Sequence, residues 1–201
     1  MNSKTQRQRG FIFEYDTVNK INGFMIPLVY NPTGETRFLT YHAARAGGAS
    51  IDKPDVMATA VMKDYYGLAM AFECKETQES NRAIPFEQIV RCYDILNTLF
   101  SYYDDKFIVL AFKFLRNKKI GRKQSQYRYV VLANPGREIF LYSKDIEYFS
   151  YSLTTESFIV QSIDDKIVFP YQIYNKFRIY KDIHEVIDYT AGFVRRVKNP
   201  Q

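Results

Sequence analysis

Apolar and polar positions recur along this chain with two different periods, and each change of period marks a new element. From Gln8 to Asn22 the spacing is helical: Phe11, Tyr15, Val18 and Asn22 lie near one stripe, with Ile12 and Ile21 beside it. Gly23 ends this helix as a left-handed cap. Glu14, three residues after Phe11 and four before Val18, borders the buried stripe rather than facing open water. Leu28 to Thr40 holds two short apolar runs around Pro32-Thr33-Gly34, which predicts a hairpin or a projecting two-stranded arm. Arg45 to Ser50 reads as a flexible glycine loop with one cation and one hydroxyl.

Asp55 to Val61 and Gly67 to Lys75 then read as two strands around a turn at Lys63-Asp64-Tyr65-Tyr66. A hairpin centred on Asp64 pairs Asp55 with Glu73, each nine residues from that centre. Along the second strand Leu68, Met70 and Phe72 point one way, and Ala69, Ala71, Glu73 and Lys75 the other. Two small residues followed by two charges leave room beside the Glu73 carboxylate. A second helix is predicted over Pro85–Tyr103, with Ile89, Tyr93, Leu96 and Phe100 on its apolar face. Strands follow at Phe107–Leu115, Tyr127–Ala133 and Glu138–Tyr142, with weaker ones near Phe158–Gln161 and Lys166–Phe169. A last helix covers Asp182–Val197 and ends in basic residues.

Composition narrows the chemistry. The 201 residues suit one domain, and 46% hydrophobic with 25% charged residues is the balance of a soluble globular protein. No apolar run is long enough for a membrane span and no signal peptide is visible, so a cytoplasmic protein is expected. The two cysteines, Cys74 and Cys92, form no CxxC pair, and the two histidines cannot build a His-rich zinc site. Any metal would be held mainly by carboxylates, which suits Mg²⁺ or Mn²⁺. The net charge of +6 becomes informative through its distribution: Lys106 to Arg137 contains no Asp or Glu. That stretch is either a solvated basic loop or a phosphate-binding edge.

Phosphodiester cleavage needs a metal that polarises the phosphate and activates water, and a cation to offset the developing charge. Asp55 and Glu73, converging from adjacent strands, supply the first. Lys75, on the same strand face as Glu73, supplies the second, and the backbone carbonyl of Cys74 is available as a further ligand. The bland alternative for Glu73 and Lys75 is an exposed cross-strand ion pair. Two other acid-x-Lys triplets, Asp104-Asp105-Lys106 and Asp164-Asp165-Lys166, sit in polar, turn-like stretches and are assigned no role.

At these residues the chain resembles the PD-(D/E)xK nuclease superfamily, and within it the Holliday junction resolvases. Arg9-Gly10 with Glu14 and Gly23-Phe24 resembles the opening helix of archaeal Hjc resolvases. Arg45, Gly47-Gly48 and Ser50 are similar to their arginine, glycine and serine loop. Pro54-Asp55-Val56 and Phe72-Glu73-Cys74-Lys75 are similar to their two metal strands, and Gln88 to a glutamine near their site. Phe72-Glu73-Cys74-Lys75-Glu76-Thr77, Ile84-Pro85-Phe86, Phe169-Pro170-Tyr171 and Arg178-Ile179-Tyr180 resemble bacterial RecU resolvases. The tail is larger than that of Hjc, and the N-terminal arm is shorter than that of RecU.

The resemblance implies an α/β, restriction-endonuclease-like fold: a central mixed β-sheet flanked by helices, in a single nuclease domain over 1–201. Its catalytic core would be about 8–115 and its C-terminal elaboration about 116–201. It also implies that Glu14, Asp55, Glu73 and Cys74 bind Mg²⁺ or Mn²⁺, that Lys75 assists the attacking water and that Gln88 supports it. Arg9, Arg45 and Ser50 would contact DNA, as would Lys118, Lys119, Arg122 and Lys123 from the basic stretch. The expected activity is cutting of four-way junctions by a homodimer, with no small-molecule cofactor and no membrane. Two alternatives stay open: a sequence-specific restriction-type endonuclease and a non-catalytic DNA-binding relative.

Overall fold

The computed structural model describes residues 6–29, 36–46, 53–62, 66–137, 145–162 and 176–198. In chain order the elements are α1 (Gln6–Ile21), β1 (Met25–Val29), β2 (Thr36–Arg45), β3 (Val56–Met62), β4 (Tyr66–Thr77), β5 (Asn81–Pro85) and α2 (Phe86–Leu99). After these come β6 (Asp105–Phe114), β7 (Gln126–Ala133), β8 (Ile146–Ser152), β9 (Ser157–Ser162), β10 (Phe177–Tyr180) and α3 (Ile183–Lys198). The turns at Pro32–Gly34 and Lys63–Tyr65, Ser50, and the strands expected at Glu138–Tyr142 and Lys166–Phe169 lie outside the described residues.

Seven strands form a mixed sheet in the order β1-β2-β3-β4-β6-β7-β10, and β5-β8-β9 form a second, antiparallel sheet. β1 through β4 pair antiparallel in sequence, so the hairpin expected around Pro32–Gly34 exists as the β1–β2 pair. β4 and β6 run parallel. A parallel pair needs a long crossover, and β5 with α2 provides it. The expected α/β architecture, a central mixed sheet flanked by helices, is therefore present.

Burial on both faces of the sheet explains the apolar runs. Leu68, Met70 and Phe72 of β4 join one core with Phe13 and Ile21 of α1 and with Ile183, Val186, Ile187 and Val194 of α3. Ala69 and Ala71 join the other, with Ile89, Cys92 and Leu96 of α2 and with Phe149 and Phe158 of the small sheet. β6 is buried along nearly its whole length, as a central parallel-paired strand should be. The small alanines let α2 lie close over β4. Gly67 serves a similar purpose: a methyl group there would come within 2.6 Å of the Tyr103 ring.

Two expectations need correction, and one strand, β8, is an addition to them. The buried stripe of α1 is Phe13, Thr17 and Ile21, whereas Tyr15 is 55% exposed and Asn22 is exposed. Phe11 and Tyr15 instead flank the Arg45 guanidinium, at 4.5 and 4.8 Å from their ring centres. Glu14 does border the buried stripe, and Gly23 takes the left-handed conformation at φ 78°. α2 ends at Leu99 rather than Tyr103, because the chain turns there to set the Tyr103 ring edge-on to Phe100, 5.4 Å away, and over Gly67. β8 escaped the sequence pattern because its register shifts between Ile146 and Tyr148, which breaks the two-residue period.

Candidate active site

The edge where β3 begins and β4 nears its end gathers the charged residues. Val56 pairs with Phe72, so the next pair outward in the ladder is Asp55 and Glu73. Asp55 is fixed by its own main chain: its N–H donates to the Phe72 carbonyl at 3.0 Å, and its carbonyl accepts from Ala46 N–H at 3.2 Å. Its side-chain Oδ2 accepts the Cys74 N–H at 2.7 Å. The carboxylate is thereby held over β4, one residue from both Glu73 and Lys75.

Lys75 Nζ donates to Glu73 Oε1 in a tight ion pair and stands 3.9 Å from Asp55 Oδ2. Glu73 is only 4% exposed, while Asp55 and Lys75 are partly open to solvent. Burial pushes the Glu73 carboxyl up to about 7; Lys75 opposes this, and the charge of Asp55 adds to it. Burial by itself would lower Lys75, but the two carboxylates outweigh it and keep the ammonium charged. The bland alternative, an exposed ion pair, does not describe a glutamate this deeply buried.

Glu14 Oε2 accepts from Arg45 Nε at 2.7 Å. Burial raises the Glu14 carboxyl, its hydrogen bond to Arg45 opposes that, and the Asp55 charge reaches it as well. Arg45 is thus an ion-pair partner of Glu14, stacked between two rings. Gln88, in the first turn of α2, buries its Oε1 without a hydrogen-bond partner among the described residues. One turn later, Cys92 is buried with Ala69 and Ala71, on the face of β4 that continues to Glu73; burial raises its thiol, and the charges of Glu73 and Asp55 add to this. Cys92 was not singled out from the sequence, although its spacing of four from Gln88 was the available signal.

The acid-free stretch from Lys106 to Arg137 is not one loop. Most of it lies in β6 and β7, and two of its cations are buried against acids from elsewhere. Lys113 Nζ meets Glu76 Oε2 at 3.0 Å and Asp16 Oδ2 at 3.8 Å, and Arg128 Nη2 meets Glu156 Oε1 at 2.7 Å. Lys118, Lys119 and Lys123 are exposed, on and after the short 3₁₀ turn Lys118–Ile120. Arg122 is only 8% exposed and donates through Nη2 to the carbonyls of Gln78 and Glu79. Arg9 stands near the start of α1.

Among the described residues no three His, Cys, Asp or Glu side chains cluster as a ready-made ligand set. Asp55 and Glu73 form a carboxylate pair instead. Such a pair fits Mg²⁺, which is commonly held by one or two carboxylates and keeps several waters. It does not fit zinc. No helix among the described residues is long and apolar enough to cross a membrane.

No family model and no curated protein matches the chain. Five solved chains match it. One is the 1.6 Å structure of Archaeoglobus fulgidus Hjc, a Holliday junction resolvase from an archaeal hyperthermophile. The similarity covers 81% of this chain and 99% of that one, at 13% identity and a TM-score of 0.37. What this chain does is therefore a question for its own side chains.

Proposed function

We propose that this protein is a metal-dependent endodeoxyribonuclease that cuts branched DNA, with a four-way junction as substrate and Mg²⁺ or Mn²⁺ as cofactor. The observation that carries the reading is the meeting of Asp55, Glu73 and Lys75 at one point of the sheet. Two carboxylates are held together there although one is buried and its charge is costly, an arrangement that favours a divalent cation between them. When bound, the ion would polarise the scissile phosphate and lower the pKa of the attacking water.

The remaining work belongs to the protein. Asp55, fixed through one oxygen by the Cys74 amide, would offer its other oxygen to the ion. Glu73, whose carboxyl burial pushes up to about 7, would hold the cation in place of its proton. Lys75 stays protonated and offsets the charge that builds on the phosphate. The unpartnered Oε1 of Gln88 accepts a hydrogen bond from water on the α2 side. Glu14, ion-paired with Arg45, and the Cys74 carbonyl would supply the protein's remaining ligands. Cutting two symmetry-related strands calls for two such sites about a two-fold axis, so the working form is a homodimer.

Four-way junctions of unrelated core sequence, incubated beside matched duplexes with and without Mg²⁺, test the reading. Paired nicks confined to the junction, and only with metal, are expected. Cutting of one duplex sequence at a fixed position would replace it with a restriction-type activity. Tight, salt-sensitive binding with no cutting at all would leave a DNA-binding relative.

A further inference from the structure

A groove of about 970 Å³ opens at the end of β4 with Lys75 on its lining. One wall is the turn from Gln78 to Ser80 with Arg82; the other runs from Leu115 to Ile120. We propose that this groove is a track for the sugar-phosphate backbone of the cut strand beside the scissile phosphate, with Arg82 and Arg116 as its phosphate contacts. The identity of that strand rests on the nuclease reading above; the phosphate chemistry of the groove does not.

Three observations support it. The first is charge: Arg82, Arg116, Lys118 and Lys119, beside a Lys75 already paired with Glu73, line the groove against Glu76 and Glu79. Glu76 is committed to Lys113 at 3.0 Å, so of the lining acids Glu79 alone offsets the cations. Arg82 also buries an Nε–H that meets no acceptor among the described residues. A buried donor without an acceptor is costly, and turning it outward onto a phosphate oxygen in the groove would relieve it.

The second is what the lining lacks. The chain carries 17 Tyr and 16 Phe, yet among the described residues no aromatic side chain lines the groove. Proteins that grip single strands through their bases do so by stacking them on aromatic rings. Cations without rings read phosphates, and phosphate contacts carry no base sequence.

The third is that the groove is built before any ligand arrives. Asn117 Nδ2 donates to the Gln78 carbonyl at 3.0 Å, and the Arg122 N–H to the Asn117 carbonyl at 3.0 Å. Arg122 Nη2 reaches the carbonyls of Gln78 and Glu79 from behind. Arg122 therefore acts as a positioning residue that ties the two walls, and the exposed cations touch the strand.

The test is fluorescence anisotropy in EDTA, where nothing is cut. The probes are a labelled four-way junction, labelled oligo-dT and a labelled mixed-sequence strand. Arg82→Gln with Arg116→Gln is expected to weaken binding roughly tenfold near 50 mM salt. The same pair should reduce the slope of log K against log salt by about 1.4 to 1.8, equally for both single strands. Arg82→Lys with Arg116→Lys should retain most of the slope, and Lys181→Gln, an exposed cation outside the groove, should leave it unchanged. If Arg82→Gln fails to fold, exposed Arg116→Gln alone should remove about half as much. An unchanged slope, or a loss confined to one base sequence, overturns the proposal. A slope loss in a protein that cuts no junction would retire the nuclease reading and leave the phosphate track standing.

Discussion

Asp55→Asn and Glu73→Gln are each expected to reduce metal-dependent junction cutting by about 10³-fold or more, which corresponds to about 4 kcal/mol of barrier. Junction affinity in EDTA should stay within a few-fold of wild type, because the cations of the groove are untouched. Both substitutions are close to isosteric. In Asp55→Asn the side-chain amide still offers an oxygen to the Cys74 N–H, so the main-chain arrangement at the start of β3 survives. What each variant loses is the negative charge that favours a divalent ion. Cys74→Ala provides the contrast. Its thiol is buried in the core on the opposite face from Glu73, and only its main chain serves the site, so cutting should persist. Undiminished cleavage by either carboxylate variant would remove the metal assignment.

The second large effect is on stability. The Glu73 carboxyl sits at about 7 in the folded chain against an ordinary value of 4.5, so the folded state holds this proton more tightly than the unfolded state. The corresponding stability is fully present below pH 4.5 and is lost as the pH rises through 7. The swing is about 3 kcal/mol at 1.36 kcal/mol per pH unit. Of the groups facing Glu73, Asp55 before β3 adds to the effect of burial, Lys75 on its own strand opposes it, and burial outweighs Lys75. Urea denaturation in EDTA should show the wild type losing stability between pH 5 and 8, and Glu73→Gln largely losing that dependence. The variant's gain at pH 8 should be smaller than the full swing, because Lys75 loses its ionic partner. Mn²⁺ should restore the wild type at pH 8 and do little for the variant. Equal pH profiles for the two proteins would contradict this account of Glu73.

Much of the site was legible because strand pairing is a strong constraint. Once Asp64 is taken as the turn centre, the register follows, and the period of two sends Glu73 and Lys75 to one face while Leu68, Met70 and Phe72 enter the opposite core. The long apolar run of β6 likewise marks a strand covered on both sides. The failures have a different cause. Tyr15 and Phe11 count as apolar in a periodicity argument, but their rings serve as a platform for Arg45 and so displace the buried stripe to Phe13 and Thr17.

Lys113, Arg122 and Arg128 belong to a stretch without nearby acids, yet each is buried. Their partners are Glu76, the Gln78 and Glu79 carbonyls, and Glu156, all distant in sequence. Local charge counting cannot see such pairs. The groove is invisible in the sequence for the same reason: Arg82 and Arg116 are separated by a helix and a strand, and only the parallel pairing of β4 with β6 brings their segments to one edge.

Calorimetric titration of the protein with Mn²⁺ at neutral pH, without DNA, addresses the Asp55–Glu73 pair with no assumption about substrate. One saturable site per chain is predicted, abolished by Asp55→Asn and by Glu73→Gln and retained by Cys74→Ala. Binding of equal strength in all four proteins, or no binding in the wild type, would contradict a shared cation at this edge of the sheet.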